Sequence, residues 1–159
     1  MFMTRENCSE ILRKELQNYR RYAMLIRDSE DRLAELENES NNLRSPRMDR
    51  IGDNRGTMEF DLLRYVQLMD TERETIDAYT RMQEWVLGVV NGIENKSLKP
   101  DLIRIFFRGE RRKVVARDRG IREDLLNKQI LNEFQKAVTD EQIKQYNEIS
   151  EKLSEINEL

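Results

Sequence analysis

The sequence predicts an all-α protein, in which a long antiparallel helical hairpin of coiled-coil type is followed by a compact three-helix unit and a C-terminal helix. Apolar residues recur in alternating steps of three and four over two long stretches of nearly equal length. The chain has 6 Gly and 2 Pro, most of which lie between or at the ends of these repeats. A charged fraction of 37% suits helices that expose most of their circumference to water.

A heptad seam predicts the first helix, over residues 8–43. The apolar members of the seam are Leu12, Tyr19, Tyr22, Ile26, Leu33, Leu36 and Leu43. Three polar residues share their phase, namely Glu15, Ser29 and Ser40. Polar residues in a seam lower its stability but fix the register of the paired helices.

The stretch RSPRMDRIGDNRG, residues 44–56, predicts a loop, because its Pro and Gly residues stop the helix. Its arginines are either solvated or in contact with an acidic partner or phosphate. A second seam predicts another helix over residues 58–94. Two helices of similar length joined in this way most simply fold back on each other, so residues 1–96 form a helical hairpin for assembly or partner binding. Pairing between two chains, as a homodimer, is the alternative.

Residues 97–138 predict the compact unit. Pro100 suits the first turn of a new helix, and Gly109 ends the apolar group that follows it. Gly120 separates two further short helices, the second of which runs from about Arg122 to Lys136. Residues 139–159 predict a C-terminal amphipathic helix that packs or dimerises, since they begin with the spacing of a capping box.

Positive charge is concentrated in the compact unit, although the chain has a formal net charge of -3. Residues 100–136 hold ten Lys or Arg against six Asp or Glu, a net charge of +4. Residues 137–159 have a net charge of -4, and the two hairpin helices, 1–43 and 57–99, have -2 and -3. A basic unit beside acidic helices is the distribution expected when one domain meets phosphate and the others meet protein.

The spacing of small and apolar residues predicts a helix-turn-helix within this unit. Such a motif needs a small residue between its helices, a residue that tolerates positive φ in the turn, and apolar residues on the inner faces. Ala116 and Gly120 meet the first two needs, and Val115, Ile121 and Leu126 meet the third. An ordinary three-helix packing unit is the alternative interpretation.

If the motif is present, its second helix enters the major groove of double-stranded DNA. Arg122 and Lys128 then reach guanine edges or phosphate, and Asn127 reads adenine. Phosphate contacts are expected from the preceding helix, at Arg111, Arg112, Lys113 and Arg117. Two acids, Glu123 and Asp124, suit the helix N-terminus but weaken non-specific binding.

The segment LIRIFFRGERRKVVARDRGIREDLLNKQI resembles phage-encoded regulators related to region 4 of sigma factors, including autolysin-regulator and late-transcription-activator types. The positions that match the family pattern RYxxGxSxxEIAxxLGxSxxTV are Phe106, Phe107, Gly109, Val115, Ala116, Gly120, Ile121 and Leu126. The sequence departs from the pattern at Arg119, where leucine is usual, and at Arg122, where serine is usual. The resemblance implies promoter-proximal DNA binding or contact with RNA polymerase, in a bacteriophage or prophage.

Composition argues against the commonest enzyme classes. The chain has no His, and it has no glycine-rich phosphate loop, so nucleophilic triads and P-loop chemistry are not expected. Carboxylates at helical spacing, Asp28 with Asp31 and Glu74 with Asp77, could hold Mg²⁺ across the hairpin, but a solvated acidic face is the simpler interpretation. The lone Cys8 cannot form an internal disulfide, and no apolar run is long enough to span a bilayer. We expect no cofactor and no metal. We expect the protein to lie in the cytoplasm of a bacterial host cell.

The sequence therefore predicts a non-enzymatic, DNA-binding transcription regulator of phage or prophage origin. Its partners are double-stranded DNA and RNA polymerase or another host protein. A protein-binding adaptor or inhibitor that acts on RNA polymerase or a host defence complex through its coiled-coil surfaces is the alternative.

Overall fold

The computed structural model of the chain describes residues 2–44 and 55–158, and within them it contains six α-helices, one π-helical turn and no strand. The α-helices are α1 (Cys8–Arg44), α2 (Arg55–Asn91), α3 (Leu98–Leu102), α4 (Arg112–Arg119), α5 (Glu123–Ala137) and α6 (Asp140–Asn157). The π-helical turn, Ile103–Phe107, follows α3 directly. The prediction of an all-α protein is confirmed. Most of the predicted arginine-bearing loop lies outside the described residues.

The two long helices lie side by side with opposite chain directions. Tyr22 of α1 stacks on Tyr79 of α2 with ring centroids 5.4 Å apart. Ten residues further along α1, the Arg32 guanidinium lies 3.1 Å from the carboxylate of Glu72, which is earlier in α2. Residue numbers thus rise along α1 as they fall along α2, within one chain.

The predicted heptad phase of α1 is visible in its burial. The three polar residues of the seam, Glu15, Ser29 and Ser40, are all buried. Leu12, the first apolar residue of the seam, is fully enclosed. The seam therefore faces its neighbours along the whole helix, polar positions included.

The core lies at the end of the α1–α2 pair where the short helices pack. It is one continuous cluster of buried apolar residues, and every α-helix as well as the π-helical turn contributes to it. Leu12, Val86, Phe106, Phe134 and Tyr146 represent five of these elements. Burial of large apolar side chains is the main stabilising force of such a unit. The three predicted units of the chain therefore share one core.

The C-terminal helix begins with the predicted capping box. The Thr139 hydroxyl accepts a hydrogen bond from the backbone N–H of Gln142, whose side chain accepts one from the backbone N–H of Thr139. The indole N–H of Trp85, on α2, donates to the Gln142 carbonyl at 2.8 Å. Trp85 is buried, and it places the start of α6 against α2.

The predicted joints of the compact unit coincide with helix ends. Pro100 lies in the first turn of α3. Gly109 and Gly120 have φ angles of 73° and 70°, in the left-handed region that favours glycine. None of the described helices is both long enough and apolar enough to cross a membrane.

Candidate nucleic-acid interface

A tight corner at Gly120 joins α4 to α5. The backbone N–H of Ile121 donates to the Ala116 carbonyl, and the N–H of Gly120 donates to the Arg117 carbonyl, both at 3.0 Å. This pair of bonds is the Schellman arrangement that ends a helix with a left-handed residue. The corner fixes the direction in which α5 leaves α4.

Small and apolar residues close the inside of the corner. Val115, Ala116 and Leu126 are buried, and Ile121 packs on the same core while remaining partly exposed. The spacing of these residues in the sequence predicted an inward position for each of them. Helix α5 also packs against α1 and α2, so three helices hold it in place.

Ion pairs join the elements that precede α5. Arg119 donates to the Asp101 carboxylate at 2.7 Å, and Asp101 in α3 is buried. Arg104 bridges Glu110 and Asp118 at 2.7 Å each, and these bonds raise the pKa of Arg104 above its ordinary value. Both clusters connect α4 to the α3 region. Sequence reasoning missed them, because no local pattern pairs residues so far apart.

Two of the predicted DNA contacts, Arg112 and Asn127, bond to each other. The Arg112 guanidinium donates to the Asn127 side-chain oxygen at 2.9 Å and lies 5.5 Å from the centre of the Phe106 ring. Burial lowers the pKa of Arg112, and the nearby positive charge of Arg13 lowers it further. The pair links α4 to α5, and the side-chain oxygen of Asn127 already accepts the Arg112 hydrogen bond.

The other five predicted contacts lie on the surface. Arg111, Lys113, Arg117 and Lys128 are exposed and have no ion-pair partner among residues 2–44 and 55–158. Arg122 is also exposed, and its guanidinium lies 3.0 Å from the Asp124 carboxylate. Four of the five cations thus have no ion-pair partner in the described part of the chain, and one has a carboxylate beside it.

Most of these cations surround a concave surface in the elbow between α4 and α5. Its volume is about 510 Å³. Arg111, Lys113, Arg117 and Arg122 line it together with Glu123 and Asp124. The elbow therefore presents more positive than negative charge, as expected for a surface that meets phosphate.

The outer face of α5 carries further polar residues that the sequence reasoning did not single out. Leu126, Ile130 and Phe134 face the core, whereas Lys128, Asn132 and Lys136 are exposed. The last three are four residues apart and lie on one side of the helix. The same periodicity that predicted the core face could have identified Asn132 and Lys136.

The acids considered for a magnesium site do not form one. Among the described residues, no group of three or more His, Cys, Asp or Glu side chains is placed to hold a metal ion. Asp77 instead forms an ion pair with Arg81, one turn later in α2, at 3.1 Å. The other three acids considered, Asp28, Asp31 and Glu74, are exposed.

Comparisons of the chain with protein-family models, with curated proteins and with solved structures found no match. The resemblance to sigma region-4 regulators therefore stays a prediction that depends on the motif residues alone. The geometry of the α4–α5 corner and its charges is the independent basis for a function.

Proposed function

We propose that the chain is a non-enzymatic, DNA-binding transcription regulator of phage or prophage origin. In this proposal α3, α4 and α5 act as a helix-turn-helix unit, and the α1–α2 pair acts as a helical hairpin for assembly or partner contact. The observation that carries the proposal is the Schellman corner at Gly120, beside which exposed cations have no described ion-pair partner.

The corner suits the geometry by which such motifs bind DNA. A recognition helix must present one face to the major groove while the rest of the domain holds its other face. In α5 the held face carries Leu126, Ile130 and Phe134, which leaves Lys128 and Asn132 directed outward. Lys can contact guanine or phosphate, and Asn can read adenine.

The cations of α4 suit the DNA backbone. Phosphate contacts set the position of a protein on the duplex, and exposed Lys and Arg side chains supply most of them. Arg111, Lys113 and Arg117 lie along the elbow next to the start of α5. The resemblance of this segment to sigma region-4 regulators supports the same assignment.

The acids at the start of α5 moderate the binding. Asp124 lies against Arg122, so part of its charge is compensated locally. Glu123 and Asp124 also lie in the first turn of α5, where negative charge interacts favourably with the helix dipole. We expect them to lower non-specific affinity and thereby to favour a specific sequence.

The test measures duplex binding against salt concentration by fluorescence anisotropy, for the wild type and a Lys113→Gln/Arg117→Gln variant. Each lost phosphate contact lowers the steepness of log K against log salt by about 0.9, so the double variant should lose about 2. Lys144→Gln/Lys152→Gln is the matched control. It removes the same charge from α6, and its slope should equal that of the wild type.

Two results would contradict DNA binding at the elbow. One is a wild type that retains no duplex at low salt. The other is an equal loss in the elbow variant and the α6 control, which would reflect net charge rather than contact.

A protein-binding adaptor or inhibitor that acts on RNA polymerase or a host defence complex is the second candidate, and the apolar surface of α2 favours it. Leu63, Val66 and Leu68 are 55%, 37% and 43% exposed. Three results together would support this candidate. The wild type recovers one stoichiometric host protein, the Leu63→Gln/Val66→Gln variant does not recover it, and the wild type binds no duplex.

A further inference from the structure

The exposed face of α1 is basic over residues 11–27. The only acidic residue in this range is Glu15, which is buried and accepts hydrogen bonds from the hydroxyls of Tyr22 and Tyr146. The range holds five cations, Arg13, Lys14, Arg20, Arg21 and Arg27. Residues 1–43 have a net charge of -2 because every acid of this segment except Glu15 lies outside residues 11–27, so a count over the whole segment hides the basic range.

Three of these cations form a row along one side of α1. Arg13, Arg20 and Arg27 are seven residues apart, and seven residues make almost two full turns of an α-helix. The rise of 1.5 Å per residue places about 21 Å between the first and the last. The row is therefore straight and nearly parallel to the helix axis.

The middle of the row adjoins the segment that leads into α4. The Arg20 guanidinium donates to the Phe107 carbonyl, and the Tyr19 and Phe107 rings meet edge to face with centroids 4.9 Å apart. A Cβ built on Gly109 would lie 3.2 Å from the Arg20 guanidinium. The row thus runs beside the π-helical turn and the residues between it and α4.

The first arginine of the row, Arg13, lies near one cation of α4, the partly buried Arg112. Arg13 is close enough to Arg112 for the two positive charges to repel, and this repulsion contributes to the lowered pKa of Arg112. The Nε atom of Arg13 is buried and has no hydrogen-bond partner within residues 2–44 and 55–158, while another of its nitrogens bonds Glu10 at 2.7 Å. One arginine of the row therefore lies near the start of α4.

We propose that Arg13, Arg20 and Arg27 of α1 form a second row of contacts to the DNA backbone, beside the segment that leads into α4. This inference rests on the proposed DNA binding at the elbow and extends the interface onto the hairpin. A guanidinium matches the geometry of a phosphate, and a duplex carries one negative charge per about 1.7 Å of its axis, so a duplex seated at the elbow offers partners along the row.

The other two cations of α1 provide a matched control. Lys14 and Arg21 each follow an arginine of the row by one residue, about 100° further around the helix. Because Phe107 contacts both Tyr19 and Arg20, it lies on the opposite side of Arg20 from Arg21. Lys14 and Arg21 thus belong to the same helix and are exposed, but they lie on the side of the row that is away from Phe107.

The experiment compares the salt dependence of binding to a random-sequence duplex for the full-length wild type, Arg20→Gln/Arg27→Gln, Lys14→Gln/Arg21→Gln and Lys113→Gln/Arg117→Gln. The row variant should lose about 2 from the slope of log K against log salt, and the Lys14/Arg21 variant should keep the wild-type slope. Arg27→Gln alone should lose about 0.9 and leaves the Arg20–Phe107 bond in place.

Each contrary result has a separate meaning. An unchanged slope in the row variants, together with a lower slope in the Lys113/Arg117 variant, overturns the α1 row and leaves DNA binding at the elbow intact. Equal losses in the row variant and the Lys14/Arg21 variant also overturn it, because long-range attraction then explains both. A wild type that binds no duplex overturns the proposed function together with the row.

Discussion

The Tyr146 hydroxyl donates a hydrogen bond of 2.8 Å to one carboxylate oxygen of Glu15, 131 residues earlier in the chain. The Tyr22 hydroxyl donates to the other oxygen. Both oxygens of this buried carboxylate are therefore satisfied by tyrosines, one from the same helix and one from α6. The cluster connects the first and last helices within the core and keeps a negative charge away from the basic face of α1.

We expect Tyr146→Phe to lower the free energy of unfolding by about 1 to 3 kcal/mol, because it leaves an oxygen of a buried carboxylate without its donor. Urea unfolding followed by circular dichroism measures the change. Tyr19→Phe is the control, since its hydroxyl has no hydrogen bond among the described residues, and it should change stability by less than about 0.5 kcal/mol. Equal stability of the two variants would contradict a structural role for the Glu15 contact.

The same cluster predicts a loss of stability at alkaline pH. Burial raises the pKa of Tyr22 and Tyr146, and Glu15 raises both further through its hydrogen bonds and its charge. The folded state then holds these protons more tightly than the unfolded state, whose tyrosines titrate near pH 10, so their stabilising contribution is complete below about pH 10 and declines above it.

The slope of this decline approaches about 1.4 kcal/mol per pH unit for each tyrosine. Urea unfolding at a series of alkaline pH values should show a shallower decline for Tyr22→Phe/Tyr146→Phe than for the wild type. Lys side chains titrate in both proteins, so the difference between the two curves isolates the tyrosines. Parallel curves would show that neither tyrosine has a raised pKa.

Alanine should have opposite effects on stability at two glycines, one in the corner between α4 and α5 and one inside α2. Gly120 has a φ of 70°, so Gly120→Ala should cost about 1 to 2 kcal/mol of stability, although no atom lies within 4 Å of the added Cβ. Gly88 lies inside α2 and also has open space around it, so Gly88→Ala should stabilise the protein by about 0.5 to 1 kcal/mol. Thermal or urea unfolding distinguishes the signs, and a stabilising Gly120→Ala would contradict the left-handed corner.

The Arg119–Asp101 pair predicts a non-additive double substitution. Arg119→Leu alone should destabilise the protein by about 2 to 3 kcal/mol, because it leaves the buried Asp101 carboxylate unpaired. Arg119→Leu/Asp101→Leu should restore most of the loss, since apolar residues often replace a buried ion pair at little cost. Urea denaturation of both variants and of Asp101→Leu completes the cycle. Strictly additive effects would mean that the two side chains do not interact.

Much of the secondary structure was predictable from local patterns. The heptad phase of α1, the capping box at Thr139 and the left-handed Gly120 all depend on residues a few positions apart, and the structure confirms each. The observed helix boundaries differ from the predicted ones by only a few residues. Helix α2, for example, was expected over 58–94 and is observed from Arg55 to Asn91. The π-helical turn after α3 was not predicted, because its register has no signature in the apolar pattern.

The candidate site was predictable only as a set of residue types. The sequence placed seven cations and polar residues in the α4–α5 region, but it could not show that Arg112 and Asn127 bond each other across 15 residues. It also offered no reason for arginine at 119, where the sigma region-4 pattern has leucine, until the structure placed Asp101 opposite it. Such partners depend on how the helices pack, and packing is not encoded in any one segment.

The sequence by itself determined that the chain is helical, where most helices begin and end, and which segment has excess positive charge. Repeats of three and four residues and the backbone preferences of Gly and Pro act within a turn or two of helix, so these features can be read locally. The tertiary structure decided which charges are exposed. Glu15 is enclosed by tyrosines from α1 and α6, and its burial, settled by contact between helices at the two ends of the chain, leaves the adjoining face of α1 positive.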